Sequence, residues 1–189
     1  MAKGNKSIEA NTAKEIEVAV VFLVSSYCAS GRNPKPVILH SLRIAFRLLE
    51  LGYSSRVVIA AILHDLVEDS DVSIEDIKRN FGKKIGNMVA AVSFDPTITD
   101  RKQRCLEMLK RVKREGREAM ILKAADLYDN SFYIHLAENV TEQKYLIWKL
   151  ETFLKLASQI KNEGVWKSLK KRLPKEKERL SSLLSNRQG

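Results

Sequence analysis

Residues 57–69 read VVIAAILHDLVED, seven apolar residues in a row followed by His64, Asp65, Glu68 and Asp69 within six positions. An apolar run of that kind belongs inside a core, and carrying ionisable groups into a core is costly unless they find partners there. That cost points to a site. With about 3.6 residues per turn, His64 and Glu68 fall on one side of a helix, and Asp65 and Asp69 form a second pair about 100° away. The spacing predicts one central helix from Ser54 or Ser55 to about Glu68, with the four polar groups in its last turn.

The rest of the chain reads as helices joined by tight turns. Only eight glycines and four prolines occur in 189 residues, and no stretch shows the alternation of a strand, so the fold class is all-α. A first helix is expected over 12–30, capped by Thr12 with Glu15 three residues on, and closed by Gly31. A second runs from Pro36 to Gly52, with His40 facing inward among Val37, Ile44, Leu48 and Leu51. Ser73 and Asp76 make a capping box for a short helix that Gly82 stops, and KKIGNMVAAVSF starts another. A basic helix over 100–115 ends at Gly116. The next helical stretch, 118–137, has Ile121, Leu122, Ala125 and Phe132 on its apolar face, together with Asp126 and Asn130. Further helices are expected over 142–161 and after Pro174, with a short segment near Trp166.

Composition favours a single domain over 1–189, with a core of about 12–160 and a basic helical extension at 161–189. The formal charge of +10 attracts polyanions, among them nucleic acids, phosphorylated metabolites and anionic surfaces. The N-terminal stretch has no signal-type apolar run and no segment reaches membrane-span length, which implies a cytoplasmic protein without membrane contact. Cys28 and Cys105 form no CxxC pair, so neither a disulfide framework nor a zinc ribbon is indicated. The basic stretches 101–117 and 161–179 read as solvated faces. Nucleic-acid binding is the minority reading because no aromatic residues interleave the charge, and Tyr145, Trp148 and Phe153 read as core.

His40, His64, Asp65 and Asp126 offer two imidazoles and two carboxylates from three helices. That set suits manganese, iron or another first-row divalent ion better than calcium. Water activated by such an ion attacks phosphoesters at neutral pH. Each residue also has a plainer reading: the histidines as hydrogen-bonded core residues, Asp126 as a partner of Lys123, Glu68 and Asp69 as the polar end of a helix. Negative charge at a helix C-terminus opposes the macrodipole, which argues against that last reading.

The order His40, His64-Asp65, Asp126 resembles the H...HD...D signature of the HD-domain metal-dependent phosphohydrolases. More narrowly, four blocks are similar to the hydrolase domain of the RelA/SpoT family and its small alarmone hydrolases: PVILH, HDLVED, the FG of NFGKKIGNMV, and KAADLYDN. They cover roughly residues 12–150. The resemblance implies a compact all-α HD-domain bundle in which His40, His64, Asp65 and Asp126 ligate manganese. It implies Glu68 and Asp69 as the catalytic residues that orient or deprotonate water. Asn130 would line the nucleotide pocket, with Arg32 and Lys123 near the phosphates. The implied reaction is hydrolysis of the 3′-diphosphate of ppGpp or pppGpp to GDP or GTP and pyrophosphate.

The chain departs from that pattern in three places. Asn33-Pro34-Lys35-Pro36-Val37 lacks the family's aromatic ring before the first histidine, Leu127 replaces a basic residue, and Asp129 replaces an aromatic or histidine. These changes spare the metal ligands and alter the surroundings of the base. Two other functions therefore stand beside the alarmone hydrolase: an HD-type nucleotidase or 3′-phosphatase acting on another nucleotide, and a non-enzymatic basic module binding nucleotide or RNA. The sequence leaves the oligomeric state open.

Overall fold

A computed structural model of the chain describes residues 10–31 and 36–185. Among the described residues every regular element is helical, as the residue spacing predicts: α1 (Ala10–Ser30), α2 (Val37–Glu50), α3 (Ser55–Leu63), α4 (Leu66–Asp69), α5 (Ile74–Phe81), α6 (Lys83–Val92), α7 (Arg101–Glu115), α8 (Arg117–Ser131), α9 (Val140–Leu156) and α10 (Gly164–Ser185). Single 3-10 turns lie at Ile134–Leu136 and Ser158–Ile160. No helix among them is long and apolar enough to cross a membrane.

The apolar run makes α3 the axis of the molecule. Val57 through Leu63 are all buried, with no solvated face, because α1, α2, α6 and α8 surround them. The helices around this axis begin and end where local chemistry dictates. Ser73 Oγ accepts the Asp76 N–H and the Asp76 carboxylate accepts the Ser73 N–H, so both halves of the capping box form. Asp100 and Asn139 cap α7 and α9 by accepting the N–H of Gln103 and of Glu142. Gly82 and Gly116, at φ +88° and +108°, each end one helix and open the next, a reversal that a side chain would strain. Gly86 lets α6 lie against α5: a Cβ there would come within 2.3 Å of Lys78 Cγ.

Several expected boundaries differ. The central helix does not run to Glu68. Its ladder lapses at His64–Asp65, where Asp65 (φ −92°, ψ −9°) leads into the single turn α4 and the Glu68 N–H reaches back only three residues to the Asp65 carbonyl. Thr12 lies inside α1 and caps nothing there. Leu51 and Phe132 are exposed, because α2 and α8 end one residue before them.

Residues 164–185 form one helix with Pro174 inside it. Proline in a helix interior costs about 3 kcal/mol, and packing of Val165, Leu169 and Leu180 against α8 and α9 offsets that cost. On the same side the buried Glu176 carboxylate binds Arg172 at 2.6 Å and Arg179 at 2.8 Å. The basic C-terminal stretch is thus a structural support for α8.

Candidate metal centre

Three elements deliver the polar groups. His40 comes from the inward face of α2, His64 and Asp65 from the break after α3, and Asp126 from the buried middle of α8. His40, His64 and Asp65 each offer a ligand atom within 4.8 Å of the others. Asp126 Oδ1 lies 3.3 Å from His40 Nε2 and 3.8 Å from His64 Nε2. Asp65 reaches both rings, with Oδ1 3.1 Å from His64 Nε2 and Oδ2 3.8 Å from His40 Nε2. The four residues that stand out in the sequence therefore meet at one point.

The outward nitrogens of the two rings are tied differently. His64 Nδ1 donates to the Ala61 carbonyl at 2.8 Å, so Nε2 is the ring nitrogen turned into the cluster, buried and without a hydrogen-bond partner. His40 Nδ1 donates to Asp129 Oδ2 at 2.7 Å, and Asp129 is gripped by Arg43 through Nε at 2.9 Å and an Nη at 2.7 Å. A carboxylate behind a ligating imidazole fixes its orientation and raises its basicity. Neither Asp129 nor Arg43 stands out as a site residue in the sequence. The signal was spacing: Arg43 is three residues after His40, and Asp129 three after Asp126, so each shares a helix face with a ligand.

Asp126 is also supported on its far side. Lys123 Nζ lies 2.7 Å from Oδ2, and Asn130 Nδ2 donates to Oδ1 at 2.5 Å. Lys123 and Asn130, read from the sequence as substrate contacts, thus both hold Asp126. Arg32, the third such residue, lies outside the described residues, as do Asn33, Pro34 and Lys35.

Charge is distributed so that protons occupy the imidazoles. Burial alone would lower the pKa of His40, but bonds to Asp126 and Asp129 overcome it and raise the value from 6.5 to about 9. Burial likewise opposes charge on His64, and Asp65 and Asp126 outweigh it. Burial would raise Asp126, yet the Lys123 ammonium and the two rings hold it well below the usual carboxylate range. The centre therefore keeps Asp126 ionised between the two rings and the Lys123 ammonium. The donor set, the bare His64 Nε2 and the two fixed ring orientations fit a first-row divalent ion.

Around this centre lie groups suited to moving protons. Glu68 sits at the mouth, its Oε1 accepting the Phe94 N–H at 2.8 Å. Crowding by neighbouring atoms pushes its pKa up, partly offset by that bond and by Lys123. Asp69 follows on the same short turn. The hydroxyl of Tyr27, from α1, is buried without a hydrogen-bond partner. Burial, then Asp65, Asp69 and Glu68, push its pKa far up, so it stays a neutral donor. His135 is exposed on a 3-10 turn away from the cluster. Phe153 is core, but Tyr145 and Trp148 are only half-buried. Arg101 stacks 3.8 Å above Tyr145, and Lys102 lies 5.5 Å from Trp148. The basic face of α7 does have aromatic partners; they come from α9, which is why the linear sequence does not show them.

The chain is similar to proteins named as guanosine-3′,5′-bis(diphosphate) 3′-pyrophosphohydrolases and to others named as GTP diphosphokinases or pyrophosphokinases. It is 30% identical over 157 residues to guanosine-3′,5′-bis(diphosphate) 3′-pyrophosphohydrolase of Aquifex aeolicus, covering 82% of this chain and 22% of that one. It is 31% identical over 97 residues to the enzyme of the same name, MESH1, of Drosophila melanogaster, covering 49% of this chain and 54% of the relative. The chain thus spans about a fifth and about half of the length of these two relatives. Among solved structures, a metazoan ortholog of SpoT that hydrolyses ppGpp and acts in starvation responses superposes with a TM-score of 0.68 at 18% identity, over 93% of this chain and 96% of that one, which shows a shared fold. The HD domain family model matches residues 19–174, spanning every ligand of the cluster, and the chain belongs to that family.

Proposed function

We propose that this chain hydrolyses the 3′-diphosphate of ppGpp or pppGpp to GDP or GTP and pyrophosphate, using a divalent ion, manganese in our reading, held by His40, His64, Asp65 and Asp126. The observation that carries this is the convergence of two imidazoles and two carboxylates with their outer partners in place. The names of the relatives supply the substrate. The bound ion would acidify a water molecule and polarise a phosphoryl oxygen.

The chain's own residues take the remaining roles. Glu68, with its raised pKa, accepts the proton of the attacking water and returns it to the departing 3′-oxygen. Asp69 orients that water. Lys123 and Asn130 keep Asp126 ionised and aligned, and Asn130 also lines a cavity of about 250 Å³ between α8 and α9 suited to part of the nucleotide. Arg32 is assigned to the phosphates. We read residues 1–189 as one hydrolase domain.

Purified chain loaded with manganese is expected to release pyrophosphate from ppGpp. No release from protein shown to hold metal would overturn the proposal. Orthophosphate as product would identify a nucleotide phosphatase. Nucleotide or RNA binding that survives both chelator and Asp65→Ala would identify a binding module.

A further inference from the structure

Next to the metal centre lie three cations, two of them without an ion-pair partner among the described residues. Three helices each send one toward the ring of Phe94: Arg104 of α7 at 5.4 Å from the ring centroid, Lys123 of α8 at 5.9 Å and Lys149 of α9 at 5.2 Å. Lys123 is paired with Asp126. Among the described residues Arg104 and Lys149 have no ion pair or hydrogen bond, and Arg104 Nε is buried with no partner. Lys149 also lines the cavity of about 250 Å³ that Asn130 borders. Its burial, and then the nearby Lys123 ammonium, lower its pKa.

Asp126 and Glu68 act on Lys149 electrostatically without forming an ion pair with it, so the three cations around Phe94 keep the capacity to hold an anion between them. Phe94 fixes where that anion would sit, because its N–H is held by Glu68 and its ring borders Lys123, the partner of Asp126.

We propose that Lys149 and Arg104 form an anion subsite for the distal phosphate of a 3′-diphosphate, selecting diphosphate over monophosphate esters. The subsite rests on the phosphohydrolase reading of the metal centre. Lysine and arginine brought to the Phe94 ring from two different helices reach different oxygens of a diphosphate, whereas a single phosphate held at the metal would leave them unused.

The test uses the full chain treated with chelator and titrated calorimetrically with inorganic pyrophosphate and with orthophosphate. K149M and R104Q should each weaken pyrophosphate about tenfold or more, and K149R should stay within about threefold of the parent. Orthophosphate binding should change less. The thermal midpoint of K149M without ligand should not fall, since an uncompensated charge has been removed; a structural lysine would lower it. In the metal-loaded enzyme K149M should raise KM for ppGpp while leaving kcat nearly unchanged.

Parental pyrophosphate affinity in K149M overturns the subsite. So does an equal loss in K113M, an exposed lysine of α7 outside the cluster, because that would reveal general charge attraction. If the parent protein fails to cleave ppGpp while pyrophosphate binding still depends on Lys149, the substrate assignment falls and the subsite stands.

Discussion

Two regions that meet near Phe94 are built on opposite electrostatic plans. On one side, Asp65, Asp126 and Asp129 surround two imidazoles, and Lys123 and Arg43 extend the network. On the other, Arg104 and Lys149 face the ring, neither of them in an ion pair among the described residues. The first region is complete when a cation arrives and the second when an anion does. Their juxtaposition across one residue is what a metal-assisted phosphohydrolase requires, and neither region alone indicates it.

The comparison breaks most severely at Asp126, which belongs to the first region and neutralises a lysine at the border of the second. Asp126→Ala strands the buried Lys123 ammonium, and breaking a buried pair from one side costs about 3–5 kcal/mol. The variant should unfold at markedly lower denaturant, retain no metal after dialysis by elemental analysis, and release no pyrophosphate. Asp126→Ala with Lys123→Met should recover much of the stability and none of the metal, separating the two roles.

A smaller effect is expected one bond further out. Asp129→Asn keeps the size of the side chain and removes the charge that His40 Nδ1 and Arg43 share. Loss of such an outer partner lowers metal affinity about 10–100-fold, measurable by competitive titration with a chelating dye. Binding of pyrophosphate to the metal-free chain should be unaffected, because Asp129 lies on the metal side of the ring. Coupled losses would erase the distinction drawn between the regions.

The pH dependence sharpens the same contrast. In the metal-free protein His40 has its pKa raised from 6.5 to about 9. The stability this contributes is fully present below 6.5 and disappears as the pH climbs through 9, so the metal-free chain should weaken across that window. Metal must displace the same proton, so metal affinity should rise over the window and flatten above it. Denaturant titrations and metal titrations on either side of the window should move in opposite directions. Parallel movement would mean that His40 does not carry the linked proton.

The sequence discloses the ligand cluster because ionisable groups in an apolar run are conspicuous, as with His64 and Asp65. His40 and Asp126 are visible for the same reason. Asp129 and Arg43 are not, since a charged residue three positions from a ligand looks like solvated helix surface until two helices cross. The cationic side is hidden more thoroughly: Lys123 is legible beside Asp126, but Arg104 and Lys149 lie on two other helices and join it only at Phe94. The turns are legible at glycines and caps, where chemistry is local. The break at His64–Asp65 is not, because the backbone there remains near helical and only tertiary partners interrupt the ladder. Pro174 misleads in the other direction, local preference yielding to packing of α10 on α8 and α9.

The smallest effect on either region should come from a substitution that damages the fold between them and the surface. Gly86 sits where α6 touches α5, and a methyl group there would meet Lys78 Cγ at 2.3 Å. That atom lies near the backbone, so relief requires the two helices to part, and overpacking of this kind costs about 1–3 kcal/mol. Gly86→Ala should therefore shift the unfolding midpoint by more than many single-site changes do. Its metal affinity and pyrophosphate affinity should nevertheless match the parent, because His40, Asp126 and Lys149 lie on α2, α8 and α9 and His64 in the break after α3, none of them on α5 or α6. A variant that lost stability together with either affinity would show that both regions are held in register by the α5–α6 hairpin, and that their opposition depends on the whole bundle.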